Sequence, residues 1–123
     1  SDLILMETEL EHPFVQTELM MPILPLVRAK DVDTAIDMAV DVEHGNRHTA
    51  MMHSKNVDKL TRMAKLIQTT IFVKNGPSYA GIGVGGEGYT TFTIAGPTGE
   101  GLTSAKSFTR KRRCTLVGGF HIK

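Results

Sequence analysis

Cys114 follows Arg112 and Arg113 directly, and neighbouring cations favour the thiolate, the form of cysteine that attacks carbonyl carbons. A lone cysteine with histidines elsewhere in the chain is a recognised nucleophile pattern. The segment around it, Thr109 to Val117, is extended in propensity and does not open a helix. A small core residue is therefore the preferred reading of Cys114. His44 and His48 are four residues apart, the spacing that puts two metal ligands on one helical face. Gly45 and Asn46 lie between them and terminate helices. Zinc needs at least three protein ligands, so capping or surface roles are preferred and no metal is assigned.

Two glycine-rich stretches invite a ligand. Gly81-Ile-Gly-Val-Gly-Gly86 satisfies G-x-G-x-x-G, but a pyrophosphate cradle requires that loop to open a helix. Glu87 to Ile94 reads as loop and strand, so a flexible or tightly turning loop is the preferred reading. In Gly96-Pro-Thr-Gly-Glu-Gly-Leu-Thr-Ser104, small residues permit close backbone approach, and Thr98, Thr103 and Ser104 offer hydroxyls. A turn packed on the protein's own core uses the same residues, and both readings stay open. Arg110-Lys-Arg-Arg113 resembles a nucleic-acid patch, yet alternate residues of a strand face opposite ways and divide the charge. Glu18 is, by spacing alone, a carboxylate near a turn.

These residues must be held by a scaffold, and its pattern is alternating. Pro22-Ile-Leu-Pro-Leu-Val-Arg28 predicts a buried strand. Asp31 then caps a helix whose stripe is Val32, Ala35, Ile36, Ala39 and Val42, with Asp33, Asp37 and Asp41 towards water. Gly45-Asn46 stops it. Thr49 to His53 predicts a second strand, and Ser54 or Asn56 caps a helix with Val57, Leu60, Met63, Ala64 and Ile67 inward. Thr70-Ile-Phe-Val-Lys74 predicts a third strand. Strand, helix, strand, helix, strand at this spacing implies an α/β fold with a parallel sheet flanked by helices. Three strands alone leave long edges, so either chains pair along them or more protein belongs there.

The chain has 123 residues, which supports one domain. Its 14 basic and 13 acidic residues leave a net charge of +1, against an electrostatic nucleic-acid binder. One cysteine excludes an internal disulfide framework and fits a reducing compartment. No apolar run is long enough to span a membrane and no signal peptide is evident, so a cytoplasmic protein is expected.

Five segments read together carry a resemblance: Glu18-Leu-Met-Met-Pro22, His48-Thr-Ala-Met-Met-His-Ser54, Thr70-Ile-Phe-Val-Lys-Asn-Gly-Pro77, Gly86-Glu-Gly-Tyr-Thr-Thr-Phe-Thr-Ile94 and Gly96-Pro-Thr-Gly-Glu-Gly-Leu-Thr-Ser-Ala105. From about His12 onward the sequence resembles the C-terminal part of the CoA-acylating aldehyde dehydrogenases of bacterial microcompartments, which act in propanediol and ethanolamine utilisation. The resemblance implies an NAD-dependent oxidoreductase that converts propionaldehyde or acetaldehyde to acyl-CoA through a cysteine thioester, located in the microcompartment lumen. It further implies that residues 1–108 are a portion of the catalytic α/β domain and 109–123 an oligomerisation strand and tail, with Arg110, Arg112, Cys114 and Leu116 in the subunit contact. Glu18 matches the glutamate that holds the nicotinamide ribose, although Met20 and Met21 stand where the wider superfamily has Phe and Gly. Asn75, Thr98 and Thr103 fall near the aldehyde tunnel. The family's nucleophile lies upstream of every matched segment, so the chain alone is expected to be an inactive fragment whose partners are the rest of the dehydrogenase, a second copy and a small aldehyde. The alternative from another class is a stand-alone binding or assembly module.

Overall fold

A computed structural model of the chain describes residues 2–88 and 103–118. Its first unit is a parallel pair of strands, β1 (Ile4–Glu7) and β2 (Ile23–Leu26), in register from Ile4 opposite Ile23 to Glu7 opposite Leu26. The connection carries a single helical turn, α1 (Pro13–Gln16). Proline suits its first position because that N–H has no helical partner, and His12 caps it, Nδ1 accepting from the Phe14 N–H at 3.1 Å.

The second unit alternates helix and strand: α2 (Val32–Val42), β3 (Thr49–Met52), α3 (Val57–Ile67) and β4 (Ile71–Lys74). Asp31 caps α2 by accepting from the Thr34 N–H at 2.7 Å, and Asn56 caps α3 by accepting from the Lys59 N–H at 3.1 Å. Such caps satisfy donors that the first helical turn leaves free. His44 and Gly45 follow α2 with φ of 55° and 73°, a left-handed reversal that ends the helix. β3 and β4 run parallel, Thr49 opposite Ile71 and Met52 opposite Lys74.

The apolar stripes meet at one small core along their later turns only: Val32, Ala35 and Val57, expected inward, are exposed in the first turns of α2 and α3, which nothing among the described residues covers. Ile36 from α2, Ala50 from β3, and Met63 and Ile67 from α3 cluster, with Ala39, Val40, Met52 and Phe72 packed against them. Leu60 and Val73 are also buried. Along the seam beside this core, the acidic residues of α2 face basic residues of α3. Lys59 bonds both carboxylate oxygens of Asp33, and Arg62 Nη2 lies 2.7 Å from Asp37 Oδ1.

The parallel α/β pattern stands as expected, but its strand order does not. A single sheet of three strands is replaced by two separate pairs, β1 with β2 and β3 with β4. The extra strand is Ile4–Glu7, which the sequence reading passed over and which takes β2 as its partner. β2 is not buried either: Leu24 is 48% and Leu26 46% exposed, because nothing among the described residues covers that face. Asp33 and Asp37 are half in water but committed to ion pairs across the helix seam. The strand expected over residues 89–94 lies outside the described residues.

Candidate functional site

In open α/β sheets ligands bind beyond the carboxyl ends of the strands, and β4 ends at a cleft of about 370 Å³. Its walls come from the end of β4, Phe72 to Pro77, and from the glycine loop, Ala80 to Glu87. Lys74 and Glu87 are its charged lining residues.

Asn75 organises the near wall. It has φ of 54°, a left-handed conformation that asparagine tolerates better than most side chains. Its carboxamide is used at both ends: Oδ1 accepts from the Ser54 N–H at 2.7 Å, and Nδ2 donates to the Ser54 carbonyl at 2.9 Å. Its own N–H donates to the Met52 carbonyl at 3.0 Å. The side chain therefore continues the β3–β4 ladder one step past the last strand residue, tying Ser54 to the turn that begins at Gly76.

The opposite wall shows what G-x-G-x-x-G does here. Gly81 lies in a 3₁₀ turn, Ser78–Ile82, directly after β4. A Cβ on Gly81 would overlap the Ile71 side chain, and one on Gly86 would come within 2.9 Å of the Ala80 carbonyl oxygen. These glycines let the loop fold onto β4 and onto itself, and no α-helix follows among the described residues. The tightly turning loop is the reading that fits.

The remaining candidates are dispersed. Glu18 is exposed in the loop between α1 and β2, and its carboxylate has no hydrogen-bond partner among the described residues. Met20 beside it has φ of 50°. At the carboxyl ends of β1 and β2, Arg28 grips Glu7 through two bonds of 2.6 and 2.9 Å, which raises the guanidinium pKa above its ordinary value. Thr103 is half-buried ahead of a 3₁₀ turn, Ala105–Phe108, while Thr98 lies outside the described residues. Arg110, Arg112, Cys114 and Leu116 are exposed on a segment that joins neither sheet, so Cys114 is not the small core residue expected, because no described element packs over it.

His44 and His48 share no helical face, because α2 ends at Val42. His48 Nδ1 instead lies 2.7 Å from Thr49 Oγ1. No group of three His, Cys, Asp or Glu side chains that could hold a metal ion occurs among the described residues. Nor is any helix among them long and apolar enough to cross a membrane. Sequence reasoning missed Lys74, Glu87 and the Ser54 peptide. Asn75, through the family resemblance, and the Gly81 to Gly86 stretch were the signals that pointed to that place.

Comparison with known proteins matches residues 2–107 to the aldehyde dehydrogenase family. The chain is 60% identical over 113 residues to a propanal dehydrogenase (CoA-propanoylating) of Salmonella typhimurium, covering 92% of this chain and 24% of that protein. It is 58% identical over 120 residues to an acetaldehyde dehydrogenase (acetylating) of the same organism, covering 98% and 26%. A crystal structure of Rhodopseudomonas palustris propionaldehyde dehydrogenase with bound propionyl-CoA is 77% identical, with a TM-score of 0.83 over 93% of this chain and 25% of that one. The chain thus spans about a quarter of the length of the relatives it matches.

Proposed function

Since the chain belongs to the aldehyde dehydrogenase family, we propose that it is the C-terminal quarter of a CoA-acylating dehydrogenase that converts propionaldehyde or acetaldehyde to acyl-CoA. The supporting observation is 60% identity across 92% of this chain to a CoA-propanoylating enzyme of which it spans 24%. In that reading residues 1–108 belong to the catalytic domain and 109–123 form the oligomerisation strand and tail. The reaction consumes aldehyde, CoA and the oxidised nicotinamide coenzyme, and yields acyl-CoA, the reduced coenzyme and a proton. A cysteine outside this chain carries the acyl group as a thioester, and Cys114 takes no part in it.

The coenzyme, when bound, accepts the hydride. Glu18 suits its ribose, because an exposed carboxylate with no partner among the described residues is free to accept bonds from two vicinal hydroxyls. The cleft at the end of β4 forms part of the aldehyde end of the site, with Asn75 in its wall, and Thr98 and Thr103 are assigned to the same end by family resemblance. The working protein is an assembly of copies in the lumen of a bacterial microcompartment.

An antibody raised against this chain measures the native product. A band several times heavier than 13.5 kDa, from a protein that forms NADH from propionaldehyde, CoA and NAD, is the expected result. A native product of 13.5 kDa would overturn it in favour of a small binding or assembly module. NADH formation by the chain alone that vanished on Cys114→Ala would overturn the assignment of the nucleophile.

A further inference from the structure

We propose that Asn75 is a positioning residue of the aldehyde cleft, acting through the Ser54 peptide that its carboxamide clamps and not through a hydrogen bond to substrate. The inference deepens the dehydrogenase reading and rests on it. An asparagine in a cleft wall is ordinarily offered as a ligand donor or acceptor, yet here Oδ1 and Nδ2 are both engaged, at 2.7 and 2.9 Å, by the backbone N–H and carbonyl of Ser54 across the sheet. The clamp is two-sided and therefore specific for an amide, since it needs an acceptor and a donor held in one plane.

Its location gives the clamp a consequence. Ser54 follows β3, and Asn75 follows β4 and leads into Gly76 and Pro77 of the cleft wall. Lys74, a charged group of that wall, is joined directly to Asn75. With the left-handed φ of 54° at Asn75 and the third bond to the Met52 carbonyl, the bridge sets where the chain leaves the sheet. Losing it frees two backbone groups of Ser54 and lets the wall move, and small displacements of positioning groups are costly to rate.

The test uses the full-length dehydrogenase and two variants. Asn75→Gly keeps a left-handed backbone accessible but removes the bridge. It is expected to lower kcat/KM for acyl-CoA formation about 10- to 100-fold, the loss of roughly two hydrogen bonds. Asn75→Asp keeps the acceptor for the Ser54 N–H but sets a second oxygen against the Ser54 carbonyl. That contact is repulsive when the carboxyl is ionised and a hydrogen bond when it is protonated. The Asn75→Asp enzyme should therefore recover activity relative to wild type as pH falls from about 8 to about 5, whereas a fold defect alone would give no such recovery.

Wild-type kinetics in Asn75→Gly would overturn the proposal, as would an Asn75→Asp profile parallel to wild type. If Asn75→Gly does not fold, the Asn75→Asp profile decides. A wild-type protein that forms no NADH from propionaldehyde, CoA and NAD would show that the dehydrogenase reading itself has failed. An active wild type with an insensitive Asn75 would sink this inference alone.

Discussion

Lys59 reaches from α3 to Asp33 on α2, with its Nζ 2.9 Å from Oδ1 and 2.7 Å from Oδ2. The same carboxylate lies 3.8 Å from Arg62 Nη1, an atom that is buried and makes no hydrogen bond. One acidic residue thus serves two cations at the seam between the helices, beside the core. Asp33→Asn should lower stability by a few tenths to about 1 kcal/mol, the range of partly exposed pairs. The loss should shrink when urea unfolding is repeated near 1 M salt, where screening acts within about 3 Å. A loss that does not depend on salt would place the effect in packing or capping.

Asp31 ties stability to pH at the start of the same helix. The bond it accepts from the Thr34 backbone holds its carboxyl below the ordinary carboxylate range. A depressed folded pKa means that the contribution is present above the unfolded value and is lost as pH falls through the folded value. Asp31→Asn keeps the capping acceptor but does not titrate. The urea midpoints of wild type and variant should therefore converge as pH drops from about 6 to about 3. A constant separation across that range would show that the ionised cap does not matter.

How much of this was legible beforehand differs between the two units. Both caps, the later turns of both apolar stripes and strands β3 and β4 follow from local spacing, because each is decided within a dozen residues, whereas Val32, Ala35 and Val57 of the stripes are exposed. β1 was not legible, since Leu3 to Met6 has no alternation and becomes a strand only by pairing with Ile23–Leu26 across an intervening helix. The division into two sheets was missed for the same reason. Strand pairing is a long-range choice on which periodicity is silent. At the cleft, Asn75 was singled out, but its role was not. Nothing in the run Lys74-Asn75-Gly76 says that the amide reaches back to a peptide 21 residues earlier.

The glycine loop offers a test of packing against ligand binding. At Gly81 a Cβ would overlap Ile71 Cγ2, whereas Gly85 has open space around it and a φ of 72°. Gly81→Ala should cost about 1–3 kcal/mol through overpacking, and adding Ile71→Ala should recover part of it by removing the obstructing methyl group. Gly85→Ala should cost about 1–2 kcal/mol through its dihedral alone, and Ile71→Ala should not help it. Thermal unfolding of the four variants separates the two causes. Equal behaviour of Gly81 and Gly85 in that set would show that close approach to β4 is not what the loop requires.

The segment from Arg110 to Val117 joins neither sheet and is exposed throughout, with Leu116 67% and Val117 90% accessible. Apolar residues at the end of a charged segment with no strand partner among the described residues mark a surface that another strand can complete, because exposed backbone groups are a template for pairing. In a strand, Arg110, Arg112, Cys114 and Leu116 would share one face. Placing this segment against a second copy satisfies the backbone and covers the apolar end together. Deleting residues 110–117 from the full-length enzyme should then lower its mass in solution by light scattering, and Leu116→Lys should weaken assembly without abolishing folding. The tetra-basic start predicts that salt changes the rate of assembly more than its end state, since exposed charges steer encounter while buried apolar contact holds the complex. An unchanged mass after the deletion would assign the subunit contact elsewhere, and the exposed faces of β1 and β2 would be the next surface to test, with Leu5 61% and Leu24 48% accessible.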